Sequence, residues 1–149
     1  MEQEKDNNQE EYYSVVCWED QDGKVKVVGT LAYFEGKYYF KYEKTALDEI
    51  LEKNPAFTGV AGFDLNDGLV ISENALFTFF QLRVRPEIRE KPEALRVLIE
   101  TRGKSPTDAI SVMPISKTYQ PAIKAEMQRI EKDQLEAKQK KSEQEDLEI

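Results

Sequence analysis

Residue types that could do chemistry are sparse in this chain, and histidine is absent altogether. Without it no Ser-His-Asp or Cys-His arrangement and no His-bearing zinc site can be assembled. The single cysteine, Cys17, lies in an apolar run beside Trp18, which points to a small buried core residue. Asp48 and Glu52 have the i,i+4 spacing of two carboxylates on one helix face, but that face is charged throughout and reads as solvated surface. Asp64-Leu65-Asn66-Asp67-Gly68 starts like a calcium loop. Its glycine comes one residue early and Ala75 stands where a bidentate glutamate should close the loop, so a turn is expected there. No glycine-rich phosphate loop is present. The residues therefore lead us to expect no catalytic group, no cofactor and no metal ligand.

Positive charge gathers in one place. Arg83, Arg85, Arg89, Lys91, Arg96, Arg102 and Lys104 follow closely on Phe77, Phe79 and Phe80. Arginines beside aromatic rings can hold a single strand of nucleic acid by stacking and phosphate pairing. Glu87, Glu90, Glu93 and Glu100 interleave with these cations, and three phenylalanines on a short helix suit a core. Two readings stand open: a salt-bridged, solvated surface, or a site for phosphate or an acidic partner.

The chain has 149 residues and a formal net charge of −8. One Lys against five acids in residues 1–11 supplies half of that charge. An acidic chain is repelled by phosphate polyanions, which disfavours general nucleic-acid binding. One cysteine forms no intramolecular disulfide, and the acidic, polar start lacks the basic and apolar regions of a signal peptide, so a cytosolic protein is expected. No apolar run approaches the roughly 20 residues that span a bilayer.

The elements that must position these residues follow from periodicity. Residues 1–11 are expected to be a disordered acidic tail. Tyr12 to Trp18 is rich in aromatic and β-branched residues, Lys24 to Tyr33 continues extended, and Lys37 to Tyr42 follows a Glu35-Gly36 break, predicting an antiparallel meander. Thr45 three before Asp48 suggests a capping box for a helix bearing Leu47, Ile50 and Leu51, ending near Asn54-Pro55. A loop from Pro55 to Gly68 precedes a brief strand at Leu69-Val70-Ile71. Ser72 reads as the N-cap of a helix running to Phe80, with Glu73 favourable at its positive end. Pro86 can start one turn, and Pro92 the first turn of a helix bearing Leu95, Leu98 and Ile99 that Gly103 ends. Ile110 to Met113 reads as a last strand. From Pro121 a charged helix carries a stripe at Ile123, Met127 and Ile130 that decays toward Ile149. The expected class is α+β: a small antiparallel meander or partly open barrel with three short helices over 12–118, and a charged C-terminal helix over 119–149.

This order of parts resembles the N-terminal subdomain of HipA-type kinase proteins. It is closer still to the HipA-N-like segment of small bacterial proteins, HipS-like or associated with a HIRAN domain. The matching pieces are Val28-Gly29-Thr30-Leu31, Tyr39-Phe40-Lys41-Tyr42, Leu76-Phe77-Thr78-Phe79-Phe80, Arg83 with Pro86-Glu87, Leu98-Ile99 before Gly103, Pro106-Thr107-Asp108 and Pro114-Ile115. Arg85 intervenes before Pro86 where the family places a Leu-Pro-acid step, and the Ser-Leu-Pro run of the kinases is missing from the preceding loop. The resemblance spans about residues 12 to 116 and includes no kinase lobe. It implies a protein-contact role: in the kinases this subdomain packs on the toxin, and in related three-gene systems a separate small protein restrains the kinase.

Two functions are expected from different classes. The first is a non-catalytic, antitoxin-like or accessory module that binds a HipA-type kinase or similar protein. The second is a single-stranded nucleic-acid accessory module using the aromatic and arginine residues of 77–104. Candidate contact residues are Arg83, Arg85, Pro86, Arg89, Arg102, Lys104, Ile123, Met127 and Ile130, the last three also offering a stripe for self-association.

Overall fold

The computed structural model describes residues 10–73, 75–105 and 108–147, with side chains through residue 141. Most of the expected acidic tail, and Pro106 and Thr107 of the resemblance, lie outside the described residues. Strands β1 (Tyr12–Glu19), β2 (Val25–Phe34) and β3 (Lys37–Tyr42) form the expected meander. The β1–β2 turn is closed by the Asp20 carboxylate, which accepts the N–H groups of Asp22 and Lys24 at 2.9 Å each. Between β2 and β3, Glu35 and Gly36 both have positive φ, 51° and 77°, as a two-residue hairpin turn matched to strand twist requires.

Two short strands complete the sheet: β4 (Val70–Ser72) pairs with β3 and β5 (Ile110–Pro114) pairs with β1. The sheet is antiparallel and open, in the order β4-β3-β2-β1-β5. With the helices α1 (Lys44–Lys53), α2 (Thr78–Gln81), α3 (Ala94–Thr101) and α4 (Gln120–Leu147) it makes an α+β protein. Contacts divide the chain into two units, Met1–Ile115 and Ser116–Ile149.

Register explains which side chains meet. Leu31 stands opposite Phe40 and Ser14, and Gly29 opposite Tyr42 and Val16. Val16, Leu31 and Phe40 join Phe63, Phe80, Leu95 and Leu98 in one buried cluster. Gly29 is needed for space: a Cβ there would lie 2.7 Å from the Lys41 carbonyl oxygen and 2.9 Å from the Phe40 ring. The long loop after α1 is held by the Tyr42 hydroxyl, which accepts the Val60 N–H at 2.9 Å and donates to the Phe63 carbonyl at 2.8 Å. On the opposite sheet face Tyr13, Phe34 and Tyr39 are buried as a stack, with Phe34 and Tyr39 centroids 4.1 Å apart and nearly parallel.

Three local expectations are corrected. Ser72 is the last residue of β4, opposite Tyr38, and its hydroxyl donates to the Ala75 carbonyl. Strand pairing there outweighs the capping signal, and the phenylalanine helix is only the four residues of α2, entered from an extended Phe77. Thr45 lies inside α1, whose N-cap is Glu43 with no side-chain capping bond. The Glu43 carboxylate is engaged by Thr30 Oγ1 at 2.8 Å and Lys41 Nζ at 3.0 Å instead. Pro92 stands two residues before α3, because the turn closed by Ala94 N–H on the Lys91 carbonyl occupies Pro92 and Glu93. That helix ends as expected, with Arg102 and Gly103 both left-handed at φ 66° and 56°.

Candidate partner-binding clefts

Arg83 follows α2 after one residue, and its side chain is only 5% exposed, so its charge must be matched by protein groups. Nη1 donates to the carbonyl oxygens of Gly103 and, at 3.1 Å, Ile110, while Nη2 pairs with the Asp108 carboxylate. The guanidinium also lies 4.4 Å from the centroid of the Phe79 ring. Asp108 in turn accepts the Ile110 N–H at 3.0 Å. One planar fork therefore ties the segment after α2 to the connection between α3 and β5.

Beside Arg83 opens a cleft of about 350 Å³, with Val84, Val97 and Thr101 in its walls and Arg85 and Lys104 among its lining residues. The Arg85 side chain is 74% exposed and reaches Glu87 only at 4.0 Å, a surface pair that contributes little. Lys104 is exposed as well. Two cations thus stand free to meet solvent beside an apolar wall, while the third is locked beneath.

Three other arginines of the basic run are engaged by neighbouring groups. Arg89 Nε donates to the Val84 carbonyl at 3.0 Å, and Arg102 Nη1 donates to the Ile99 carbonyl at 2.6 Å, closing the end of α3. Arg96 pairs with Glu100 one turn away at 2.8 Å. Pro86 opens a single 3-10 turn, Pro86–Ile88, and is exposed. Phe80 is fully buried, and Phe77 and Phe79 are half-buried against Phe63 and Phe80. The aromatic platform expected for stacking bases is therefore packed in or against the core, and Arg85, Lys91 and Lys104 are exposed. Ile123, Met127 and Ile130 lie along α4 as one stripe at i, i+4 and i+7.

A second cleft, of about 340 Å³, lies at the end of β1. Trp18 and Phe57 meet there with centroids 4.8 Å apart, and Gln21, Asn54, Thr58 and Asp108 also line it. Arg83 lines one cleft and Asp108 the other, so their ion pair is the partition between them. The sequence reading missed this second cleft and the role of Asp108. No local signal marks either, since the partners stand 25 positions apart.

Cys17 is buried and free, and burial pushes its thiol above the ordinary value, away from thiolate chemistry. Asp64 to Asp67 is a turn, with Asp64 N–H on the Asp67 carboxylate at 3.0 Å and Asn66 N–H on the Asp64 carboxylate at 3.1 Å. Asp48 and Glu52 are exposed, Asp48 reaching Lys44 at 3.6 Å. Among the described residues no three His, Cys, Asp or Glu side chains converge as a metal site, and no helix is long and apolar enough to cross a membrane. Compared with models of protein families, with curated proteins and with solved structures, the chain matches none.

Proposed function

We propose that this chain is a non-catalytic regulatory module that binds a protein partner through the cleft between Arg85 and Lys104. The observation that carries the reading is the division of labour among three neighbouring cations. Arg83 is neutralised and buried, whereas Arg85 and Lys104 are exposed beside Val84 and Val97. Exposed cations over an apolar wall suit a partner segment that pairs acidic side chains with apolar ones, and such charges act chiefly on encounter rate and specificity. The order of sequence motifs, by analogy alone, suggests a HipA-type kinase or a similar protein as the partner and an antitoxin-like restraint as the outcome.

The test is affinity capture from the native host with the tagged wild-type chain and with the Arg85→Glu/Lys104→Glu variant, followed by identification of what is retained. The reading expects one protein enriched on the wild type and depleted on the variant. Equal retention on both, or no specific protein on either, overturns it.

A further inference from the structure

The geometry points to a cation subsite in the second cleft, where the Trp18 and Phe57 rings and the Asp108 carboxylate receive an arginine or lysine side chain of the bound protein. The inference rests on the proposed partner-binding role and names the chemistry of a second contact. The tilted Trp18–Phe57 pair, with 50° between ring planes, presents aromatic surface to the cleft, and ring faces attract cations. Among the described residues Asp108 is the one formally charged residue lining the cleft; Oδ2 pairs with Arg83 and Oδ1 accepts the Ile110 N–H at 3.0 Å, and the side chain, 33% exposed, keeps a second lone pair on each oxygen for a further donor. The Asn54 amide nitrogen is engaged with the Ile50 carbonyl at 3.4 Å, so Asn54 has its carbonyl oxygen to offer, another acceptor. Among the described residues no lysine or arginine lines this cleft; Lys26, the cross-strand mate of Trp18, is half-buried outside it.

The two clefts ask for opposite charges. Arg85 and Lys104 select acid on one side of the Arg83–Asp108 partition, and Asp108 with the two rings selects base on the other. A partner segment carrying an acidic and a basic side chain of matching separation satisfies both, while a uniformly acidic one meets only the first. Such two-signed contacts give specificity through the repulsion of wrong partners.

Trp18 is the only tryptophan in the chain, so its emission reports on this cleft without a label. The experiment titrates the full chain at constant ionic strength with N-acetyl-arginine methylamide, and in parallel with the neutral N-acetyl-norleucine and the acidic N-acetyl-glutamate analogues. The expected result is a saturable change with the arginine probe, weak because one side chain is involved, and none with the other two. Asp108→Asn should weaken arginine binding by about tenfold, the worth of a charged hydrogen bond. Phe57→Leu, which leaves the Arg83 pair untouched, should weaken it also. No saturable change with arginine, or equal binding of norleucine, overturns the subsite. Since the probes need no partner protein, that failure would leave the charge-reversal capture at Arg85 and Lys104 standing, and failure of the capture would leave this titration standing.

Discussion

The guanidinium of Arg83 is held against the carboxylate of Asp108, and with the Gly103 and Ile110 carbonyls this single contact fixes where two surface clefts meet. Most arginines this close to a surface keep their head groups in water. Here the side chain is buried at 5% exposure, and its guanidinium meets the Gly103 and Ile110 carbonyls, the Asp108 carboxylate and the Phe79 ring. The pair is therefore a positioning device: it sets Lys104, one residue after Gly103, beside the cleft that Arg85 also lines.

Replacing Arg83 leaves two carbonyls and a carboxylate without their donor. Arg83→Gln should lower unfolding free energy by about 3 kcal/mol, as breaking a buried pair does. Arg83→Lys should recover little, because one ammonium cannot span a carboxylate and two carbonyls as the fork does. Asp108→Asn keeps an acceptor but leaves the buried guanidinium without its counter-charge, and should cost about 2 kcal/mol. Urea midpoints of the three variants check this order; an Arg83→Gln chain as stable as wild type would remove the staple from the account.

Gly29 faces a carbonyl and a ring at distances no real Cβ tolerates. Gly29→Ala should destabilise by about 1–3 kcal/mol through forced displacement of β3, despite the better strand propensity of alanine. Gly23→Ala is the contrast: nothing lies within 4 Å of a Cβ there, so its cost comes from its φ of 82° alone. Thermal melts of the two variants separate crowding from backbone strain.

Buried phenols give the chain an alkaline limit. Tyr13, Tyr38 and Tyr42 are pushed above the ordinary value of 10.0 first by burial, with Glu11 adding to the rise at Tyr13. The unfolded chain releases these protons from about pH 10 while the folded chain keeps them, so the unfolded state binds fewer protons and stability falls as pH rises past that point. Their contribution is fully present below about pH 10. Urea midpoints should decline above that pH, and tyrosinate absorbance from these three residues should appear together with unfolding. A folded chain whose tyrosines all ionise near their ordinary value would contradict the burial shown here.

The meander was legible because each of its strands is marked by alternation and each turn by its own chemistry: Asp20 to Gly23 in one, Glu35-Gly36 in the other. The stop of α3 at Gly103 was legible for the same local reason. Ser72 misled because its capping chemistry is local, whereas its strand pairing with Tyr38 is 34 positions distant. Thr45 misled because a capping box is one spacing among many, and Glu43 two residues earlier takes the N-cap. In the clefts, the exposed cations Arg85 and Lys104 could be named from composition alone. What divides them from Arg83 could not, since burial of that side chain depends on carbonyls 20 and 27 positions away. Trp18 and Phe57 meet only because the loop after α1 folds back over the end of β1, a placement with no short-range sign.

The central claim is that exposed Arg85 and Lys104 bind an acidic face of a partner protein while Arg83 only supports them. Calorimetric titration of the captured, purified partner into the wild-type chain and into the Arg85→Glu/Lys104→Glu variant tests it most directly. Reversing two contact charges should weaken binding by at least about tenfold and invert its salt dependence, added salt now relieving repulsion, with urea stability unchanged. Equal affinity and equal salt dependence for both chains would contradict the claim.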